Sequence, residues 1–235
     1  MKLNSVLPIA AAAVGIAITT AVNPASAFTI GFNNIPNGDT AGDSLVSNFQ
    51  VQVTDNSSNV SNTVLFKILN NLAPGSLAAN AGTFIRSVHF ASGSLLSNFT
   101  PNVNNTGFVS FDVSNSLNFP QGNNVPGGFI QVFAADRATG GQQLSNNAGG
   151  IQAGEALGVR FTGNYNSVIA ALTNGTLKVG IHVQALPGGG SDSFVTNPNP
   201  VPEPFTIVGS GVALGVGAMM RKKQQKKKAI AKTDA

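Results

Sequence analysis

The sequence has no cysteine, no tryptophan and one tyrosine, Tyr165. Without cysteine there is no disulfide framework and no thiolate metal site, so a hydrophobic core must hold the fold alone. Without exposed tryptophan or a set of tyrosines, a lectin-like aromatic platform for sugar faces lacks its usual parts. Charge is scarce as well. Only 9% of the 235 residues are charged, against roughly 25% in an ordinary soluble domain. The formal +4 does not mark a nucleic-acid binder, because seven of the 13 basic residues lie at or after Arg221. Between Phe28 and Pro200, Lys67, Arg86, Arg137, Arg160 and Lys178 face Asp39, Asp43, Asp55, Asp112, Asp136, Glu155 and Asp192. Five positive charges minus seven negative ones leave that stretch slightly acidic, without the clustered cations that nucleic acid requires.

Catalytic patterns are also missing. No G-x-S-x-G occurs, so a nucleophile elbow is absent. Glu155 is the sole glutamate of the middle region, and its aspartates show no pairing of the glycosidase kind. The two histidines, His89 and His182, fall in strand-like segments without metal-ligand spacing and read as hydrogen-bonded polar residues. The expectation is a protein that is not an enzyme. A hydrolase remains an alternative only if its residues meet in the fold.

What the sequence does hold is 27 asparagines, 27 glycines and many short apolar segments. "FTIGFNN", "FQVQVTD", "TVLFKIL", "GTFIRSVHF", "FVSFDV", "GGFIQVFAAD", "ALGVRFTG" and "TLKVGIHVQ" alternate or run apolar between turn-forming clusters. They predict about eight strands. Phe49, Val51 and Val53 share one face, as do Leu177, Val179, Ile181 and Val183, and as do Val109, Phe111 and Val113. In "GTFIRSVHF", Phe84, Val88 and Phe90 share a parity that Arg86 interrupts. "NSVIAALTNG" is the one expected helix, with Asn166 or Ser167 as its cap and Gly175 after its end. The fold class is therefore mainly β: an antiparallel β-sandwich, with a jelly roll among the arrangements that fit, over residues 28–187. Residues 188–200, "GGGSDSFVTNPNP", read as a linker.

Both ends carry address signals. Lys2, the apolar stretch Val6 to Val22 and the small-x-small site Ala25-Ser26-Ala27 form a secretory signal peptide, residues 1–27, for signal peptidase. At the other end, residues 201–235 join Pro202-Glu203-Pro204 to an apolar run, Phe205 to Met220. Arg221, Lys222, Lys223, Lys226, Lys227 and Lys228 follow it. As a helix the run would rise about 24 Å, short of a hydrocarbon core of about 30 Å but able to span it with local thinning. The basic cluster would stay on the cytoplasmic side. That places the middle domain across the membrane, in agreement with the leader.

The stretch "VPEPFTIVGSGVALGVGAMMRKKQQKKK" resembles the PEP-CTERM sorting signal of bacterial surface proteins. The resemblance covers about the last 35 residues and includes motif, short span and basic cluster in the family's order. It implies recognition by exosortase, processing near Pro202, Glu203 and Pro204, and a protein held transiently at the inner membrane before reaching the cell surface or extracellular space. It also implies a Gram-negative bacterium that makes extracellular polysaccharide, and the neutral Asn-, Ser-, Thr- and Gln-rich surface expected of the strands could hydrogen-bond to that polysaccharide. "VLFKILNN", "SVHFASGSLL" and "GTLKVGIHVQALPGGGSDSFV" are similar to segments of proteins sharing this layout, a group for which no activity follows.

Two ligand classes remain as alternatives for the middle domain, carbohydrate and calcium. "NGDTAGD" offers Asn37, Asp39 and Asp43 as oxygen ligands for Ca²⁺, without the order or terminal glutamate of an EF-hand. No other cofactor is expected. The sequons at Asn56, Asn59, Asn98, Asn104 and Asn174 read as a consequence of Asn, Ser and Thr richness rather than glycosylation.

Overall fold

The computed structural model describes residues 27–56, 60–114, 118–138 and 149–200. The signal segment up to Ser26 and the whole of 201–235, with its sorting motif, apolar run and basic cluster, lie outside the described residues. No helix among the described residues is long and apolar enough to cross a membrane.

The described chain is mainly β. Its strands are β1 (Phe28–Asn34), β2 (Phe49–Asp55), β3 (Thr63–Asn70), β4 (Phe84–Ala91), β5 (Ser97–Pro101) and β6 (Phe111–Val113). After these come β7 (Phe133–Arg137), β8 (Ala156–Thr162), β9 (Lys178–Gln184) and β10 (Ser191–Pro200). The helices are α1 (Leu77–Asn80) and α2 (Tyr165–Asn174). All ten strands belong to one antiparallel sheet in the order β5-β8-β3-β2-β1-β10-β9-β4-β7-β6. Instead of two separate sheets in a sandwich, this one sheet curls until it is nearly closed into a barrel. The curl is visible in the core. Phe66 of β3 meets Phe90 of β4 edge-on at 5.4 Å although four strands lie between them. Phe99 of β5 stacks at 5.6 Å on Phe133 of β7, which joins the two ends of the sheet.

The alternating strands place their faces as their sequence requires. Phe49, Val51 and Val53 are fully buried, as are Val179, Ile181 and Val183. In β4 a bulge between Ile85 and Ser87 shifts the parity, so Ile85, Val88 and Phe90 point into the core. This is the physical reason that Arg86 interrupts the pattern: the extra residue turns it out of the ladder. Phe84 is buried away from that core, beneath the Arg137 guanidinium at 5.1 Å. Val113, expected inside, is 52% exposed, because β6 is only three residues long and lies at the sheet edge. The helix is capped by Asn164, two residues before the expected cap, whose Oδ1 accepts the Ser167 N–H at 3.0 Å. Gly175 follows it in the left-handed conformation, as its sequence position suggests.

The expected linker is the main difference. Residues Ser191–Pro200 form β10, hydrogen-bonded to β1 on one side and β9 on the other. Asn and Pro obscure the strand in the sequence, but Phe194 and Val195 are buried and Phe194 stacks on Phe49 at 5.6 Å. The domain therefore runs from Phe28 through Pro200. Ile30 pairs with Pro200, so the first and last strands lie side by side and their outer ends leave at the same end of the barrel.

Asparagine side chains complete what the strands leave open. Asn102 and Asn105 sit between β5 and β6, where the ladder fails. Asn105 Nδ2 donates to the Val109 carbonyl at 2.9 Å, and its Oδ1 accepts the Gly158 N–H at 2.9 Å. Asn70 acts similarly inside the fold, donating to the Ile151 carbonyl and accepting the Leu72 N–H. Buried backbone groups need partners, and the Asn-rich composition supplies many of them.

Candidate functional site: an outer cleft beside a capped polar row

The segment between β6 and β7 does not continue the sheet. It folds back as a cap over the outer face of β10, β9 and β4. Phe119 lies across Gly180, where a Cβ would stand 2.6 Å from its ring, so only glycine admits the cap this closely. Phe119, Val125, Ile35 and Val195 form a small second core, with Phe129 packed against it. The cap is tied down by polar contacts to the loop after β1. Asn124 donates to the Asn37 carbonyl at 3.0 Å, and Gln121 donates to Asp39 Oδ2 at 3.2 Å.

Those contacts account for two of the three calcium candidates. The carbonyl of Asn37 and the carboxylate of Asp39 serve as acceptors for the cap, and Asp43 opens a short 3-10 turn, Asp43–Asn48. Asp192, buried at the barrel end, accepts the Gly42 and Ser193 N–H groups. Burial raises its carboxyl above the usual carboxylate range, with those N–H groups opposing and Asp43 and Asp39 adding to the rise. Among the described residues no three His, Cys, Asp or Glu side chains are grouped to hold a metal.

Beneath the cap runs a row of polar side chains. Ser193 of β10 pairs in register with His182 of β9, His182 with Ser87 of β4, and Ser87 with Asp136 of β7. His182 Nδ1 lies 3.0 Å from Ser193 Oγ. His89 sits 2.8 Å from Ser87 Oγ through Nε2 and 2.6 Å from Gln131 Oε1 through Nδ1. An amide oxygen only accepts, so Nδ1 carries the proton and Ser87 donates its hydroxyl to Nε2. Burial lowers the His89 pKa to about 4, a shift increased by His182 and opposed by Gln131 and Asp136. His182 is lowered chiefly by burial, then by Arg86. Arg86 in turn forms a forked pair with Asp136, at 3.3 and 3.4 Å. The sequence placed both histidines in strands; it did not show that their strands are neighbours. A serine hydroxyl on an imidazole is the form of an activated nucleophile. Here both groups are buried, the Phe119 ring lies 5.0 Å from that of His89, and neither lines the neighbouring cleft.

That cleft is the site the sequence did not reveal. It has a volume of about 740 Å³ and is half-open to solvent. One wall is the cap from Val125 to Val132, and the other is formed by the ends of β1 and β10 with the α2 exit at Asn174, Gly175 and Thr176. Lys178 lines it beside the cap. The Lys178 ammonium donates to the Pro126 carbonyl at 3.0 Å and the Gly128 carbonyl at 2.7 Å. Gly127 and Gly128 hold φ of +73° and +76°, which lets the loop turn both carbonyls onto the amine. Burial lowers the pKa of Lys178. Ile130 is 85% exposed on the wall, with Val132 beside it. "GGFIQVFAAD" reads as one strand, but only Phe133–Arg137 is strand; the Lys178 clamp holds the carbonyls of Pro126 and Gly128, and Val132 keeps one bond to the sheet, its N–H to the Phe90 carbonyl at 2.8 Å. Among the described lining residues Lys178 is the one charged side chain, and amides and hydroxyls of Asn33, Asn34, Asn174, Thr176 and Thr196 supply the remaining polar groups.

Compared with known protein families, curated proteins and solved structures, the chain matches none.

Proposed function

We propose that this chain is an exported, non-enzymatic cell-surface or extracellular-matrix protein, sorted by exosortase and associated with extracellular polysaccharide. The sorting motif Pro202, Glu203 and Pro204 directs it, the run 205–220 is a transient inner-membrane stop, and the cations from Arg221 to Lys228 fix its topology. The observation that carries this reading is the order of Pro202-Glu203-Pro204, the apolar run 205–220 and the basic cluster from Arg221 to Lys228, behind a leader at 1–27; the pairing of β1 with β10 is compatible with it. Removal of the leader after Ala27 and cleavage near 202–204 both fall outside the ten strands, and both ends leave beside each other. Processing at either end therefore leaves the barrel intact. Proline fixes φ and removes an N–H, so the sequence on both sides of Glu203 disfavours helix, which suits a protease substrate.

The test is Glu203→Ala followed by cell fractionation. The variant is expected to remain full-length in the membrane fraction while wild type is processed and released. Equal processing of the two would overturn the sorting reading. The polysaccharide part is tested separately, by whether released wild-type protein fractionates with the extracellular polysaccharide.

The outer cleft favours a carbohydrate-binding module within that role. Its described lining offers amides, hydroxyls, one amine and exposed aliphatic groups, a set suited to binding.

A further inference from the structure

We propose that the outer cleft binds a uronate residue of an acidic polysaccharide, with Lys178 as the counter-charge to its carboxylate. This rests on the reading of the cleft as a carbohydrate site and adds the chemical class of the sugar.

Charge is the first reason. No carboxylate is among the described lining residues, and the two acceptors of Lys178 are neutral carbonyls. An ammonium has three donors. Two hold the amine in place and one remains, and among the described residues no carboxylate pairs with its charge. The rest of the site selects among anions. The carbonyl end of α2 borders the same cleft at Asn174 and Gly175, and its partial negative charge opposes any anion, a dianion such as phosphate more than a single carboxylate. A single carboxylate fits one amine.

The walls are the second reason. Ile130 is 85% exposed, so its presence is not explained by burial, and with Val132 it offers an aliphatic surface to the C–H face of a sugar ring. Asn33, Asn34 and Thr176 are exposed at the rim, where they can exchange hydrogen bonds with ring hydroxyls. An acyl chain would need a closed apolar tunnel. This cleft is half-open and amide-rimmed, which suits a polymer passing through it.

The experiment is calorimetric titration of the full chain at low salt with tetragalacturonate, its methyl ester, cellotetraose, inorganic phosphate and oleate. Tetragalacturonate is expected to bind, with the methyl ester and cellotetraose about 10-fold weaker or more, the loss expected for one charge-assisted contact. Lys178→Met and Ile130→Asp are each expected to weaken binding about 10-fold, and Lys178→Arg to retain it within a few-fold. Lys67→Met, on the outer face of β3 away from the cleft, is expected to leave it unchanged. Because Lys178 also fixes the cap, each variant is checked by thermal melting. The ester comparison tests the charge in unaltered protein. Equal binding of acid and ester, tighter binding of phosphate or oleate, wild-type affinity in folded Lys178→Met, or no binding of tetragalacturonate would each overturn the proposal. Protein that fractionates with polysaccharide yet ignores tetragalacturonate sinks this inference and leaves the surface-protein reading standing. Protein that does not fractionate with polysaccharide sinks the polysaccharide association itself.

Discussion

The side-chain amide of Asn102 occupies the place of a missing strand opposite Phe111. Its Nδ2 donates to the Phe111 carbonyl at 2.7 Å, and its Oδ1 accepts the Phe111 N–H at 2.9 Å. One residue thus satisfies both ladder positions of a fully buried phenylalanine at the barrel seam. Asn102 also holds φ of +63°, a region asparagine tolerates better than alanine. Asn102→Ala should therefore lower stability by about 2–3 kcal/mol, from two lost hydrogen bonds and backbone strain. Urea unfolding checks this. A loss under 0.5 kcal/mol, roughly the scale of an ordinary surface substitution, would mean the seam is not held this way.

Gly180 and Phe119 form a matched pair across the cap. Gly180→Ala should push the Phe119 ring off the sheet and cost about 1–3 kcal/mol, the usual range for overpacking. In Phe119→Ala the same alanine should cost much less, since the obstructing ring is gone. A double-mutant cycle by denaturation reads the coupling. Additive losses would contradict the contact.

His89 should make stability depend on pH. Its folded pKa of about 4 lies below its ordinary 6.5, so the unfolded chain binds more protons between those values. The stabilisation is complete above pH 6.5 and is lost as pH falls toward 4, a total of ~3 kcal/mol at most. His182 acts in the same direction, whereas the raised Asp192 acts in the opposite one. His89→Gln should flatten the slope of stability against pH in that window relative to wild type. Superimposable slopes would show that His89 is not held neutral.

The position of β10 predicts where the domain can be cut. A chain ending at Pro200 should fold, and one ending at Pro187 should not, because the latter lacks the strand between β1 and β9. Circular dichroism and limited proteolysis distinguish the two. A folded, protease-resistant 28–187 fragment would contradict the sheet order.

Strands were legible where one face is apolar and the residues alternate, as in β2 and β9. β10 was not, since Asn197, Pro198, Asn199 and Pro200 carry turn chemistry while its burial comes from neighbours distant in sequence. β5 was hidden for a related reason: Ser97–Pro101 is a partly exposed edge with little apolar pattern. Closure into one sheet depends on contacts such as Phe99–Phe133 that no local pattern encodes. The cleft escaped notice because its components are ordinary alone. Lys178 reads as the polar residue of an alternating strand, and Ile130 as one more buried aliphatic; only the Gly127–Gly128 turn brings them to a common wall.

The adjacency of β1 and β10 also sets a clock on folding. β1 is the first strand to emerge during synthesis, yet one of its two edges stays bare until β10 arrives last. One five-strand flank, β5-β8-β3-β2-β1, is joined to the other, β10-β9-β4-β7-β6, in the hydrogen-bonded ladder through this late partnership. Until then Phe28, Ile30 and Phe32 stand on an open edge, the kind of template that recruits strands from other chains. A nascent chain stalled before residue 191 is thus a sticky intermediate, and the final ten residues of the sheet act as its molecular clasp.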